Sequence, residues 1–285
     1  KPVVSERSLK DGSNELQIRF ESPAADGLRL VKTYTLKRGE YTIGVKHEFI
    51  NDSAQPVTPQ LYLQLARDGN PPEGESSFYF TFTGPAMYTE AGKFHKIDFK
   101  DIEKGKVDIP KSADNGWVAM VQHYFASAWV LAGNEPRDFR VQKVGDNLYS
   151  IAMVVPLGEV AAGGRKELQS TLFAGPQEEN KLAALAPGLE LVKDYGWFTP
   201  LAKPLFWLLT KLHAVLGNWG WSIVALVVLL KIAFYWLNAS AYRSQAKMRA
   251  VNPRIMEMRE RLKDKPQEMQ QEMMRIYREE KVNPL

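Results

Sequence analysis

The chain has 285 residues, 45% hydrophobic and 25% charged, with no cysteine and a formal net charge of +4. That length is enough to bury a sizeable core, and that composition excludes wholesale disorder. The lack of cysteine removes disulfides, thiol nucleophiles and cysteine-held metals, but it leaves the compartment open because a large exported domain needs no staples.

The positive charge is unevenly placed. Residues 1–200 carry 23 basic and 26 acidic side chains, 201–242 add only Lys203, Lys211 and Lys231, and 243–285 carry 11 basic against 7 acidic. The large first part is therefore slightly acidic, and the excess lies in and beside an apolar segment. A membrane surface fits that distribution better than a nucleic-acid face, and no direct nucleic-acid contact is expected.

In chain order, residues 1–176 read as a mainly β outer domain, a large β-sandwich. The runs Leu16–Phe20, Leu28–Leu36, Tyr41–Ile50, Thr58–Leu65, Phe78–Thr83, Trp117–Tyr124 and Leu148–Val155 are rich in Val, Ile, Thr, Tyr and Phe. Asp26-Gly27, Asn70-Pro71-Pro72 and Gly145-Asp146-Asn147 punctuate them. Residues 177–198 read as a helical linker. Thr199-Pro200 opens a helix over 199–217 with a hydroxyl cap and a proline at its first position. There Lys203, Thr210, Lys211 and His213 share one sector and Leu201, Leu205, Leu208, Leu209, Leu212 and Val215 fill the other. That pattern suits an amphipathic helix lying in a membrane interface with Phe206 and Trp207 as anchors, or one packed on the β domain.

After Gly217-Asn218, residues 218–238 predict one transmembrane helix. Trp219–Leu237 holds a single charge, Lys231, with Trp219 and Trp221 at one end and Tyr235 and Trp236 at the other. The alternative is a buried core helix. Arg243, Lys247 and Arg249 follow the span, so the positive-inside rule puts 239–285 in the cytoplasm and 1–217 outside. An outer domain ahead of its first visible span calls for an export signal upstream, and nothing at Asn283-Pro284-Leu285 closes a fold, so a longer parent chain is expected at both ends. Residues 239–285 predict an incomplete helical hairpin: a charged helix interrupted at Asn252-Pro253, a turn at Lys263-Asp264-Lys265-Pro266, and a second helix. Met256, Met258, Met269 and Met273 there either form the hairpin's own seam or offer a compliant docking surface.

Lys231 is the most informative side chain. A charge at that depth normally faces water or a partner, and Tyr235, Asn238 and Tyr242 follow at helical spacing as a polar stripe. Snorkelling to the interface is the plainer account. One helix cannot enclose a cavity, so the stripe implies further membrane helices.

Asn218-Trp219-Gly220-Trp221-Ser222, the charge at Lys231, Ala246-Lys247-Met248-Arg249, Asn252-Pro253-Arg254-Ile255, Met258-Arg259-Glu260-Arg261-Leu262 and Glu280-Lys281-Val282-Asn283-Pro284-Leu285 together resemble the YidC/Oxa/Alb insertases. Upstream, Asp194-Tyr195-Gly196-Trp197-Phe198 and Pro204-Leu205-Phe206 resemble the Gram-negative form, which has a large periplasmic domain. The resemblance implies a sugar-epimerase-like sandwich outside the bacterial inner membrane and a five-helix core with a hydrophilic groove. Lys231, Tyr235 and Asn238 would line that groove, with Lys231 where the family usually has Arg and Trp236 where it often has Pro, which predicts a straighter helix. It implies nascent membrane proteins and the lipid bilayer as partners, with the Sec translocon, the ribosome and the signal-recognition-particle receptor beside them. It also implies no enzyme and no cofactor. A membrane-tethered glycan-binding or sugar-modifying domain is the rival, with Glu40, Glu48, Asp68, His95 and His123 as candidate acids and bases. No phosphate loop, nucleophile elbow or metal-ligand cluster accompanies them.

Overall fold

A computed structural model of the chain describes residues 8–71, 81–263 and 265–279, without the side chains of Trp197 and Ser244. The expected strand residues Phe78–Phe80, the motif Glu280–Leu285, Pro72 and Asp264 lie outside the described residues. The chain divides into two compact units, Lys1–Asp194 and Tyr195–Leu285.

The first unit holds β1 (Glu15–Glu21), β2 (Leu28–Lys37), β3 (Thr42–Asn51), β4 (Gln60–Asp68), β5 (Gly84–Thr89) and β6 (Lys93–Lys96). A short helix α1 (Phe99–Glu103) precedes β7 (Ser112–Ala113), β8 (Trp117–Val121), β9 (Phe125–Val130), β10 (Arg137–Gly145), β11 (Leu148–Pro156) and β12 (Arg165–Pro176). An eight-stranded sheet runs β1-β2-β3-β12-β9-β8-β5-β6, and a four-stranded sheet runs β4-β11-β10-β7. Every pairing is antiparallel.

Side-chain alternation explains the layering. In β4, Leu61 and Leu63 point inward while Gln60, Tyr62 and Gln64 stay exposed, the pattern of a strand covered on one face. They meet Phe49, Met87, Val118 and Met120 of the large sheet and Phe139, Ile151, Met153 and Val155 of the small one in a common core. All five residues of β8 are buried because its other face is covered too. Trp117, Ala119 and Val121 pack there with Leu182 of α2 (Glu179–Leu185) and with Leu189 and Val192 of a 3-10 turn, Leu189–Val192. The segment read from sequence as a linker is thus, up to Asp194, a third layer on the β unit.

Several strand ends move. The expected strand Trp117–Tyr124 stops at Val121 and turns into β9, and residues 81–83 precede β5 rather than forming a strand.

The second unit contains α3 (Thr199–Leu216), α4 (Trp219–Ala233), α5 (Tyr235–Arg261) and α6 (Pro266–Glu279). The uninterrupted helix expected over 218–238 is instead broken at Phe234, where α4 and α5 meet at a 58° bend. The straighter helix expected from Trp236 is therefore not found. The break expected at Asn252-Pro253 is absent, and α5 runs through Pro253. An interior proline removes one ladder hydrogen bond, but Val251, Ile255 and Met258 are buried with Ile276 of α6, and that packing holds the turn in place.

Candidate functional site

Local chemistry fixes the corner between α3 and α4. Gly217 adopts the left-handed conformation at φ +65°, and its N–H donates to the His213 carbonyl at 2.8 Å, closing α3. The Asn218 side chain accepts from the Trp221 N–H at 3.2 Å and caps α4, as a residue of that type should. The Ser222 hydroxyl donates to the Asn218 carbonyl at 2.7 Å, and the His213 ring stacks on Trp219 with centroids 3.8 Å apart. At the start of α3 the Thr199 hydroxyl donates to the Gly196 carbonyl at 2.6 Å, so it does not act as the accepting cap.

Ile223, Val224, Val227, Val228, Leu229 and Ile232 of α4 are all exposed. Burying each such side chain is worth about 1.5–3 kcal/mol, so this surface demands an apolar surrounding. Among the described residues no single helix is long and apolar enough to cross a membrane; α4 and α5 together pass by length and composition, as a bent pair. The 15 residues of α4 span about 22 Å.

Lys231 lies in the last turn of α4 and is exposed, without an ion-pair partner among the described residues. A cation there also gains from the helix macrodipole. Tyr235 and Asn238 are exposed on α5, across the bend, so the single-helix stripe is divided between two helices. The backbone stays bonded through the break: the Phe234 N–H donates to Leu230 and the Asn238 N–H to Phe234, both at 2.9 Å. Phe206, Trp207, Trp219 and Trp221 are all exposed, with the Lys211 ammonium 5.9 Å from the Trp207 ring centre. Of the four methionines, Met258 is buried in the seam between α5 and α6 with Met269 and Met273 packed against it, while Met256 is 63% exposed.

The acids and bases considered for the outer domain do not converge. Glu40 accepts from Thr42, Glu48 pairs with Lys46, Asp68 accepts from the Asn70 N–H, and His123 bonds to Thr81. His95 stands on β6 with its buried Nε2 unpartnered. Among the described residues no hydrogen bond or ion pair joins any two of the five, and no group of three or more His, Asp or Glu could hold a metal.

Sequence reasoning missed Arg137. Its side chain is wholly buried and its guanidinium donates to the carbonyls of Glu135 (3.0 Å), Gly116 (2.9 Å), Leu131 (3.3 Å), Asp114 (3.3 Å) and Gly133 (2.8 Å). It thereby fixes two loops that wall a recess of about 290 Å³ beside Tyr88, Trp117 and Pro187. Among the described residues Glu90 is the one carboxylate on that wall and no histidine accompanies it, so they supply the recess with no acid–base pair. An arginine before an aspartate in a polar stretch carries no signal of burial.

Residues 2–208 match the family described as YidC periplasmic domain, and residues 211–285 match 60Kd inner membrane protein. A membrane protein insertase YidC of Cupriavidus taiwanensis is 55% identical over 96% of this chain and 49% of its own length. That of Janthinobacterium sp. (strain Marseille) is 50% identical over 98% of this chain and again 49% of its own. The chain thus spans about half the length of these relatives. A putative aldose 1-epimerase of Escherichia coli K12 aligns with a TM-score of 0.35 at 12% identity, covering 59% of this chain and 66% of that one. That likeness is too remote to bear on chemistry.

Proposed function

The chain belongs to the YidC family of membrane protein insertases, and from that premise we propose that it supplies the outer domain and a membrane segment of an insertase. Residues 1–217 lie on the periplasmic side of the bacterial inner membrane, α4 and the start of α5 pass through it as a bent pair, and 239–285 reach the cytoplasm. The observation that carries the reading is Lys231, the one charged side chain of α4, in its last turn and without an ion-pair partner among the described residues. Together with Tyr235 and Asn238 it lines a hydrophilic groove completed by helices outside this chain.

Such a groove shortens the apolar path. A polar segment of a nascent membrane protein enters wetted protein surface instead of hydrocarbon, which removes the several kcal/mol that each unsatisfied polar group costs there. The segment's apolar part then moves sideways into the bilayer. No bond is made or broken. The Sec translocon, the ribosome and the signal-recognition-particle receptor are the partners that the resemblance suggests for the cytoplasmic and membrane faces.

The test is rescue of insertase-depleted cells by the full-length parent, with insertion of a short single-span substrate followed by protease protection. Lys231→Arg should insert as well as the parent, since the charge is kept and only the donor geometry changes. Lys231→Ala should fall several-fold at equal protein level. Normal insertion by the alanine variant would sink the role of the charge.

A further inference from the structure

We propose that the turn between β8 and β9 is a membrane-contacting tip, with Tyr124 and Phe125 seated in the bilayer interface beneath the outer unit. Tyr124 is 69% and Phe125 56% exposed, the most open aromatic pair of that unit among the described residues. The backbone that carries them is tied down. The Gln122 N–H donates to the Phe125 carbonyl at 2.9 Å, and the Gln177 N–H donates to the Tyr124 carbonyl at 2.9 Å. The Gln177 side-chain amide donates to the carbonyls of Gln122 (2.7 Å) and Phe125 (3.3 Å). Three of the turn's carbonyls are thereby satisfied, so its rings are presented on a braced backbone with fewer unpaired acceptors, which suits an apolar interface.

Strand register says what lies near the tip. Phe125 pairs with Pro176 of β12, Val121 with Gly84 of β5, and Ala86 with Lys96 of β6, so the tip and the end of β6 share one end of the large sheet. Tyr41, also exposed, stands at that end against Gly175, with the Lys181 ammonium 5.0 Å from its ring centre. The chain leaves the unit there as well, because Lys96 is ion-paired to Asp194, its last residue. Helix α3 begins at Thr199, five residues on, a reach of at most about 17 Å for extended chain. The inference rests on the reading that α3 and α4 are membrane-bound. Given that, the end bearing Asp194 is held within that reach of the lipid, and Tyr and Phe rings are the side chains that settle in its interface. A lipid surface, not a protein partner, is the occupant that the short tether favours.

The absence of native cysteine allows a direct measurement. The full chain is reconstituted in phosphatidylcholine–phosphatidylglycerol vesicles containing lipids with headgroup nitroxides. A fluorescent label is placed at Tyr124→Cys, Phe125→Cys, Ala91→Cys or Ile223→Cys. Ala91 lies in the turn between β5 and β6, at the opposite end of the sheet, and Ile223 marks α4. The labels at 124 and 125 should be quenched several-fold more than that at 91, and the label at 223 should be shielded from water. Labels at 124 and 125 as solvated as that at 91, with 223 shielded, would overturn the tip and leave the membrane reading standing. A water-exposed label at 223 would overturn both.

Discussion

Replacing Arg137 with methionine would keep the volume of its aliphatic stem and remove the donors that five carbonyls share. Buried acceptors left without partners cost about 1–3 kcal/mol each before relaxation, so the outer unit should lose on the order of 3 kcal/mol or more. Chemical denaturation followed by the β signal measures this; a loss below about 1 kcal/mol would mean that the loops find other donors. His47 gives the same unit a pH dependence. Its ring bonds to the Ser170 hydroxyl at 3.0 Å, and burial, with Lys32 adding repulsion, pushes its pKa down to about 4. The unfolded chain, with an ordinary histidine pKa of ~6.5, then binds a proton that the folded chain refuses. This contribution to stability is fully present above that value and is lost as pH falls toward 4, by up to ~1.4 kcal/mol per pH unit. The melting temperature of His47→Gln should fall less steeply than that of the parent between pH 6.5 and 4. Parallel curves would move the dependence to other groups.

At the scale of elements, the helix pair α5–α6 separates two roles that the methionines were given together. Met258→Ala, at a site 3% exposed, should destabilise the pair by about 2–4 kcal/mol, whereas Met256→Ala should stay within about 0.5 kcal/mol. Protease resistance of α6 reports the difference, and equal sensitivity of the two variants would contradict the seam. The strands β2, β3 and β11 were legible because their β-branched and aromatic runs are bounded by Asp26-Gly27 before β2, Asn51-Asp52 after β3 and Gly145-Asp146-Asn147 before β11. The turn at Gln122-His123-Tyr124 contains no Gly, Pro, Asn or Asp, so the reading of β8 overran to Tyr124 and β9 was not read as a separate strand. β12 escaped notice because Arg165–Gln169 is mostly polar, and its place is set by long-range pairing with β3 and β9. In the candidate site, the apolar helix, the break before it at Gly217-Asn218 and Lys231 were readable, whereas the cap that Asn218 makes shows only in the structure. The break at Phe234 was not, since neither Gly nor Pro marks it. Arg137 was invisible because carbonyls from separate loops, known only after folding, decide whether an arginine can be buried.

At the scale of the whole molecule, the order β1-β2-β3-β12-β9-β8-β5-β6 has a consequence in time. A chain threaded across a membrane from its N-terminus delivers β1–β3 first and β5, β6, β8 and β9 later, as two partial sheets with β3 and β9 as raw edges. The strand that joins them, Arg165–Pro176, emerges last, 18 residues before the exit at Asp194. Its partners on β3 precede it by more than a hundred residues, so closure waits on a long loop and is intrinsically slow. Until it occurs, two open edges face the export side as templates for unwanted pairing. Synthesis of the β unit and delivery of α3 and α4 are thereby placed in sequence. The sheet becomes whole only when α3 and α4 are the next residues to arrive.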